Sequence, residues 1–242
     1  MDHKAQTPPN CRIYAVGDIH GRVDLLARLQ GMIEVDAAPL PPGVRRLIVY
    51  LGDYIDRGPE SEAVIERLIA GPPPGFEAVY LKGNHDDMLL RYLNDGALAE
   101  TWMMNGGMEA LESYGIEVPR PLPPPAWHDG GRQALARALP AAHLDFFRGL
   151  KLLHSEGDYL FVHAGVRPEV ALDRQQDVDL MWIRHDFLES GEDFGKVVVH
   201  GHSITLDVEF PGNRIGIDTG AYHTGRLTAL VLQDAEHRLL QT

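Results

Sequence analysis

Cysteine is nearly missing from this chain: Cys11 is the only one in 242 residues. One thiol excludes an internal disulfide framework and any cysteine-based zinc site. Long apolar runs are missing as well, and none approaches the roughly 20 residues needed to cross a bilayer. The opening Met1–Pro9 lacks the apolar core of a signal peptide. Basic charge is scarce: 22 Lys and Arg face 35 Asp and Glu, a net charge of −13. Such a surface argues against stable binding to long nucleic-acid backbones. A small phosphate substrate stays compatible with it, because bound cations invert the local field. These absences together predict a cytoplasmic protein with no membrane or nucleic-acid partner.

What remains is ordinary globular composition, 44% apolar and 24% charged. The length suits a single domain over residues 1–242 with a core that needs no staples. Residues 1–10 read as a disordered lead-in.

The most informative stretch is Leu47-Ile48-Val49-Tyr50-Leu51-Gly52-Asp53-Tyr54-Ile55-Asp56-Arg57-Gly58. Its apolar opening reads as a strand buried on both faces, stopped at Gly52 and followed by three charged residues. An open α/β sheet keeps its ligands at such strand ends. Gly58-Pro59 then predicts a helix start, since Pro loses no hydrogen bond there. Alone, this corner would read equally well as a capped helix with a solvated ion pair.

It is not alone. Arg12–Val16 ends in Gly17-Asp18-Ile19-His20-Gly21, with Asp18 and His20 on one side of an extended turn. Val23, Leu26, Leu29 and Ile33 follow with helical spacing. Phe76–Leu81 ends in Lys82-Gly83-Asn84-His85-Asp86, after an amphipathic helix over 60–70. The order βαβαβ predicts a mostly parallel sheet. Residues 86–150 read as a helical insertion: Asp87–Leu93, Ala97–Met104, Met108–Tyr114, Arg132–Leu139 and Ala141–Leu150, broken by the proline-rich run 119–125. Tyr159–Val162 then ends in His163-Ala164-Gly165, Lys196–Val199 in His200-Gly201-His202-Ser203, and Arg214–Ile217 in Asp218. Little helix separates these strands, which predicts a second, more antiparallel sheet. Leu227–Leu232 has no polar end and reads as structural.

Collected at the strand ends are Asp18, His20, Asp53, Asn84, His163, and either His200 or His202. Imidazole, carboxylate and amide oxygen without thiolate suit manganese, iron or zinc. Six such residues exceed the needs of one ion, whereas two ions about 3.5–4 Å apart sharing a carboxylate would use them all. Any one of these histidines, taken singly, reads more simply as a hydrogen-bonded core residue. It is their recurrence at five strand ends that points to a site.

In order, Gly17–Gly21, Gly52–Gly58, Gly83–Asp86, His163–Gly165 and Gly201–His202 resemble the motifs of the calcineurin-like metallophosphoesterases. The chain is similar in particular to the phosphoprotein phosphatase branch, which includes bacterial Ser/Thr phosphatases and diadenosine tetraphosphate hydrolases. It departs from the family pattern at Asp86, usually Glu, and at Ser203, usually Thr. The resemblance implies an α/β (α+β) fold: a two-sheet mixed β-sandwich flanked by helices. It implies that Asp18, His20 and His202 hold one divalent ion, Asn84 and His163 the other, with Asp53 bridging. The family pattern thus favours His202 over His200. It further implies that a metal-bridging hydroxide attacks phosphate directly, that His85 protonates the leaving oxygen while Asp56 orients it, and that Arg57 and Arg184 bind phosphate. Asp218 would support the site without binding metal.

The resulting expectation is a two-metal, manganese-type phosphomonoesterase acting on phosphoserine or phosphothreonine in proteins. The alternative within the same chemistry is hydrolysis of a dinucleoside polyphosphate. A catalytically silent binding protein is a distant third, because the ligands, the acid and both arginines are all present.

Overall fold

The computed structural model describes residues 4–96 and 98–242. The first sheet runs, in spatial order, Glu77–Tyr80, Arg45–Tyr50, Cys11–Val16, Thr228–Gln233 and Glu236–Gln241. β1 (Cys11–Val16), β2 (Arg45–Tyr50) and β3 (Glu77–Tyr80) run parallel, joined by α1 (Val23–Ala37) and α2 (Ser61–Ile69). β8 (Thr228–Gln233) lies antiparallel beside β1, and β9 (Glu236–Gln241) closes the edge. The second sheet is β4 (Leu153–Glu156), β5 (Tyr159–Val162), β6 (Val197–His200) and β7 (Arg214–Gly216), in that order.

Strand periodicity sets the layering. Ile13 and Ala15 of β1, with Leu47 and Val49 of β2, face Phe161, Val199 and Ile215 of the other sheet. The alternate residues Tyr14, Val16, Ile48 and Tyr50 face outward onto Leu26, Leu29 and Ile33 of α1 and Val64 and Leu68 of α2. On the far side, Leu160, Val162 and Val198 pack on Leu180, Ile183 and Phe187. The result is two sheets face to face with helices on both outer faces.

The second sheet is mostly parallel, contrary to the sequence expectation: β5–β6 and β6–β7 are parallel, and only β4–β5 is antiparallel. The crossover from β5 to β6 carries α8 (Asp177–Trp182) and α9 (His185–Leu188). These helices are too short for helical periodicity to be visible. β4 and β9 were also not expected. Both are polar strands at sheet edges, where one face is solvated and no continuous apolar run is required.

Between β3 and β4 lie α3 (Asn84–Asp95), α4 (Ala99–Trp102), a wide turn at Met103–Gly107, α5 (Met108–Ser113), α6 (Pro125–Ala138) and α7 (Ala141–Gly149). α6 starts seven residues before the expected Arg132. Pro125 occupies its first turn, and Gly131 lies against the Trp127 ring. A glycine pair costs about 1 kcal/mol of helix propensity per residue, which hid this segment. α2 begins at Ser61, just past the expected Gly58-Pro59 start.

The lead-in is placed from residue 4 onward rather than disordered. The Gln6 N–H donates to Asp158 Oδ2 (3.0 Å) and the Thr7 N–H to the Asp234 carbonyl (3.0 Å). Backbone pairing at two loop tips thus offsets its polar, proline-containing composition. Met1–His3 and Ala97, the expected start of one helix, lie outside the described residues. Among the described residues no helix is long and apolar enough to cross a membrane.

Candidate metal centre

Each chain turn at a strand end delivers its polar side chain by leaving ordinary backbone geometry. Among the described residues, five of the eight non-glycine residues with positive φ are His20, Asp53, Asp56, Arg57 and His202. Such conformations cost about 1–3 kcal/mol each and gather where function over-determines them. Gly83 permits a close approach, since a Cβ there would overlap the Asp53 carboxylate.

Asp53 is the hub. Its Oδ1 accepts the His85 N–H at the start of α3 (3.0 Å). Its Oδ2 is left facing three imidazole nitrogens: His163 Nε2 at 3.4 Å, His20 Nε2 at 3.5 Å and His85 Nε2 at 3.9 Å. Two triads that could each hold a cation share this residue, His20–Asp53–His85 and Asp53–His163–His202, all buried. A shared carboxylate between two N/O clusters is what a dinuclear centre requires.

Backbone partners set the ring orientations. His20 Nδ1 lies 2.7 Å from the Ile55 carbonyl and His163 Nδ1 lies 2.9 Å from the Leu51 carbonyl. A nitrogen facing a carbonyl must carry the proton, so Nδ1 of each ring is an N–H and Nε2 is the atom turned toward Asp53. His163 Nε2 also lies 3.0 Å from Asn84 Oδ1. His202 Nε2 is buried with no hydrogen-bond partner among the described residues. Asp18 belongs to neither triad; its carboxylate accepts the His202 N–H at 3.1–3.2 Å.

Burial and mutual charge shift the titratable groups of the cage away from their ordinary values. Burial and the charge of Asp218 raise the Asp18 carboxyl well above its ordinary pKa. Burial opposes ionisation of Asp53 too, but His163 and His85 outweigh it and hold Asp53 well below. Burial likewise works against the His163 imidazolium, yet Asp53 overrides it and lifts His163 to about 10. Burial, then the charge of His163, lowers His202 to about 2. A partnerless ring nitrogen and buried carboxylate and imidazole groups gathered around one carboxylate fit divalent cations.

His85 faces two ways. Its Nδ1 lies 2.6 Å from Asp56 Oδ2, while Nε2 points over Asp53. Burial lowers the His85 pKa, but Asp53 and Asp56 more than compensate and raise it. Arg57 Nη1 donates to His20 Nε2 (2.9 Å), and its guanidinium lies 4.9 Å from the Tyr222 ring centroid. Arg184 reaches in from an exposed turn to the His202 carbonyl (3.3 Å). His200 stays outside the cage: its ring is buried edge-on to Phe187, centroids 5.1 Å apart, beside Gly216. Asp218 accepts the Gly220 N–H (2.9 Å).

Two neighbours, Trp102 and Tyr222, are not singled out by the sequence, and Asp86 stands out there only as a departure from the family pattern. Asp86 binds the backbone of the Asp53 turn, Trp102 donates to Asp56 and Tyr222 underlies Arg57. Trp102 carried one readable signal, the Asn105-Gly106-Gly107 interruption just after it in a helical stretch.

Residues 11–230 match the family described as calcineurin-like phosphoesterase. The chain belongs to the calcineurin-like phosphoesterases. As a member it is a metal-dependent phosphoester hydrolase. It is 26% identical to the bis(5'-nucleosyl)-tetraphosphatase PrpE [asymmetrical] of Anoxybacillus flavithermus, over 91% of this chain and 90% of that one. It is also 26% identical to serine/threonine-protein phosphatase 2 of Escherichia coli, over 89% of this chain and 90% of the relative. Among solved structures, a candidate diadenosine tetraphosphatase aligns over 98% of both chains with a TM-score of 0.62 and 21% identity. The last likeness is one of fold.

Proposed function

We propose that this phosphoesterase hydrolyses a dinucleoside polyphosphate asymmetrically, with diadenosine tetraphosphate as its test substrate. The observation that carries this reading is the end-to-end similarity to relatives named asymmetrical bis(5'-nucleosyl)-tetraphosphatase. It supports the dinucleotide reading over the phosphoprotein reading that the motifs favour.

Two divalent ions, manganese first and iron or zinc next, would be held by Asp18, His20, Asp53, Asn84, His163 and His202. When bound they polarise the phosphate and ease loss of a proton from the attacking water. Arg57 forks phosphate oxygens, a geometry that Lys cannot match, and Arg184, held beside His202, adds a second positive charge for the phosphate. Water adds to one phosphorus, and the bond from that phosphorus to the bridging oxygen breaks. His85 Nε2 gives its proton to the departing oxygen, while Asp56 on Nδ1 holds the ring.

A second reading, a Ser/Thr phosphoprotein phosphatase, is favoured by the acid itself. A polyphosphate leaving group departs readily as an anion, whereas an alkoxide needs a proton. A buried His85–Asp56 pair at 2.6 Å suits the harder leaving group. The E. coli relative named a protein phosphatase supports it too.

The test is kcat/KM with manganese for diadenosine tetraphosphate and a phosphothreonine peptide on one preparation, with products identified. Preference for the dinucleotide with release of AMP and ATP supports the proposal. Two ADP would mean symmetric cleavage, and preference for the peptide would transfer the function to phosphoproteins.

A further inference from the structure

The helical insertion is tied to the reacting groups by one side chain. Trp102, at the end of α4, is fully buried. Its indole N–H donates to Asp56 Oδ2 at 2.8 Å, the same oxygen that faces His85 Nδ1 at 2.6 Å. The other carboxylate oxygen, Asp56 Oδ1, is buried with no partner among the described residues. The Asp56 backbone N–H is bound by Ser61 Oγ (3.1 Å), which fixes the main chain but not the carboxylate. Rotation about the Asp56 side chain is therefore opposed by two donors that meet on one oxygen, the imidazole and the indole.

The turn that follows Trp102 completes the clamp. The Gly106 carbonyl accepts the Arg57 N–H (3.2 Å), which holds Arg57 in its left-handed conformation with φ 65°. A Cβ on Gly106 would strike the Arg57 backbone, and one on Gly107 would strike the Trp102 ring. The sequence Trp102-x-x-Asn105-Gly106-Gly107 thus lets one short segment touch both Asp56 and Arg57.

We propose that Trp102 is a positioning residue for proton transfer: its indole N–H fixes the Asp56 carboxylate, which in turn aims His85 at the leaving oxygen. This rests on the reading of His85 as the acid. It gives residues 99–107 a part in the chemistry, beyond shaping the mouth of the site. A hydrogen bond to a carboxylate in a buried site is worth enough to change a rate by about tenfold.

The test uses Trp102→Phe, which keeps an aromatic ring and removes the donor. Rates are measured with manganese on a series of aryl phosphates whose phenols differ in acidity. The expected result is about a tenfold loss of kcat for phenyl phosphate and less than about twofold for nitrophenyl phosphate, with metal content unchanged. On a His85→Asn background the same substitution should cause no further loss, because both act on one step. Equal losses across the series, or additive losses in the double variant, would overturn the proposal. If His85→Asn is itself insensitive to the leaving group, the acid reading fails separately.

If Trp102→Phe does not fold, the wild-type protein loaded with magnesium still decides. It has three tryptophans, so its indole N–H resonances can be assigned one by one. Asp56→Asn should shift the Trp102 resonance and speed its exchange while leaving Trp127 and Trp182 in place. An unmoved Trp102 signal would remove the contact on which the proposal stands.

Discussion

Asp86 Oδ2 accepts the backbone N–H of Asp53 at 3.0 Å, so the residue at the centre of the cage is held by a side chain from the helix beside it. The same oxygen accepts the Gly83 N–H (2.8 Å), and Oδ1 accepts that of Tyr54 (3.2 Å). Three buried donors depend on this carboxylate, each costing about 1–3 kcal/mol if left unpaired. Asp86→Ala should therefore lower stability by several kcal/mol and weaken metal binding. Asp86→Asn, which can still accept on one oxygen, should lose less. Urea unfolding and manganese titration of both variants check the ranking; equal stability for Ala and Asn would refute it.

Removing the shared carboxylate should act on both ions at once. Asp53→Asn is expected to lose at least about 1 kcal/mol of metal-linked stabilisation and essentially all turnover. In the wild type, saturating cation at about 100 times Kd adds roughly 2.7 kcal/mol to the folded state. Chelator should accordingly lower Tm in the wild type and change Asp53→Asn much less. Full metal content with near wild-type activity in the variant would refute the bridging role.

The strand ends were legible because a strand buried on both faces must read as an unbroken apolar run, and each run stops at a glycine followed by a polar residue or directly at a polar residue such as His163. Asp18, Asp53 and His163 could be picked out on that ground alone. Trp102 and Asp86 could not, since their roles depend on neighbours 46 and 33 residues away in sequence. Direction in the second sheet was hidden for a related reason: the crossover helices have six and four residues, less than two turns. His200 and His202 looked interchangeable at the end of one strand. Alternation along the chain does not separate residues two apart, and what separates them is the turn after β6, where His202 adopts φ 62°.

His200 should make the protein acid-sensitive. Burial first, with the charges of Arg214 and His163 adding to it, lowers its pKa to about 4. A histidine kept neutral in the fold but free to charge near pH 6.5 once unfolded contributes stability above pH 6.5 and loses it as pH falls through 4. Between pH 7 and pH 5 that amounts to about 2 kcal/mol. His200→Leu, close in volume and unable to titrate, should show a smaller drop in urea midpoint over this interval. An identical pH dependence in the two proteins would mean that other groups carry the acid limb.

Arg57 is expected to oppose metal binding while promoting phosphate binding. Its Nη1 donates to His20 Nε2, the nitrogen whose lone pair a cation would need, while its guanidinium rests on Tyr222. A cation at His20 must displace that hydrogen bond and meet a positive charge nearby, so the guanidinium must turn outward, toward substrate. Arg57→Ala should bind manganese as tightly as the wild type or several-fold more tightly. The same variant should bind product phosphate more weakly by about tenfold or more, the loss of a charge-assisted fork. Calorimetric titration with manganese, then with phosphate on the loaded protein, separates the two effects. Weaker binding of both would mean that Arg57 serves only to hold the Asp56–Gly58 turn in shape.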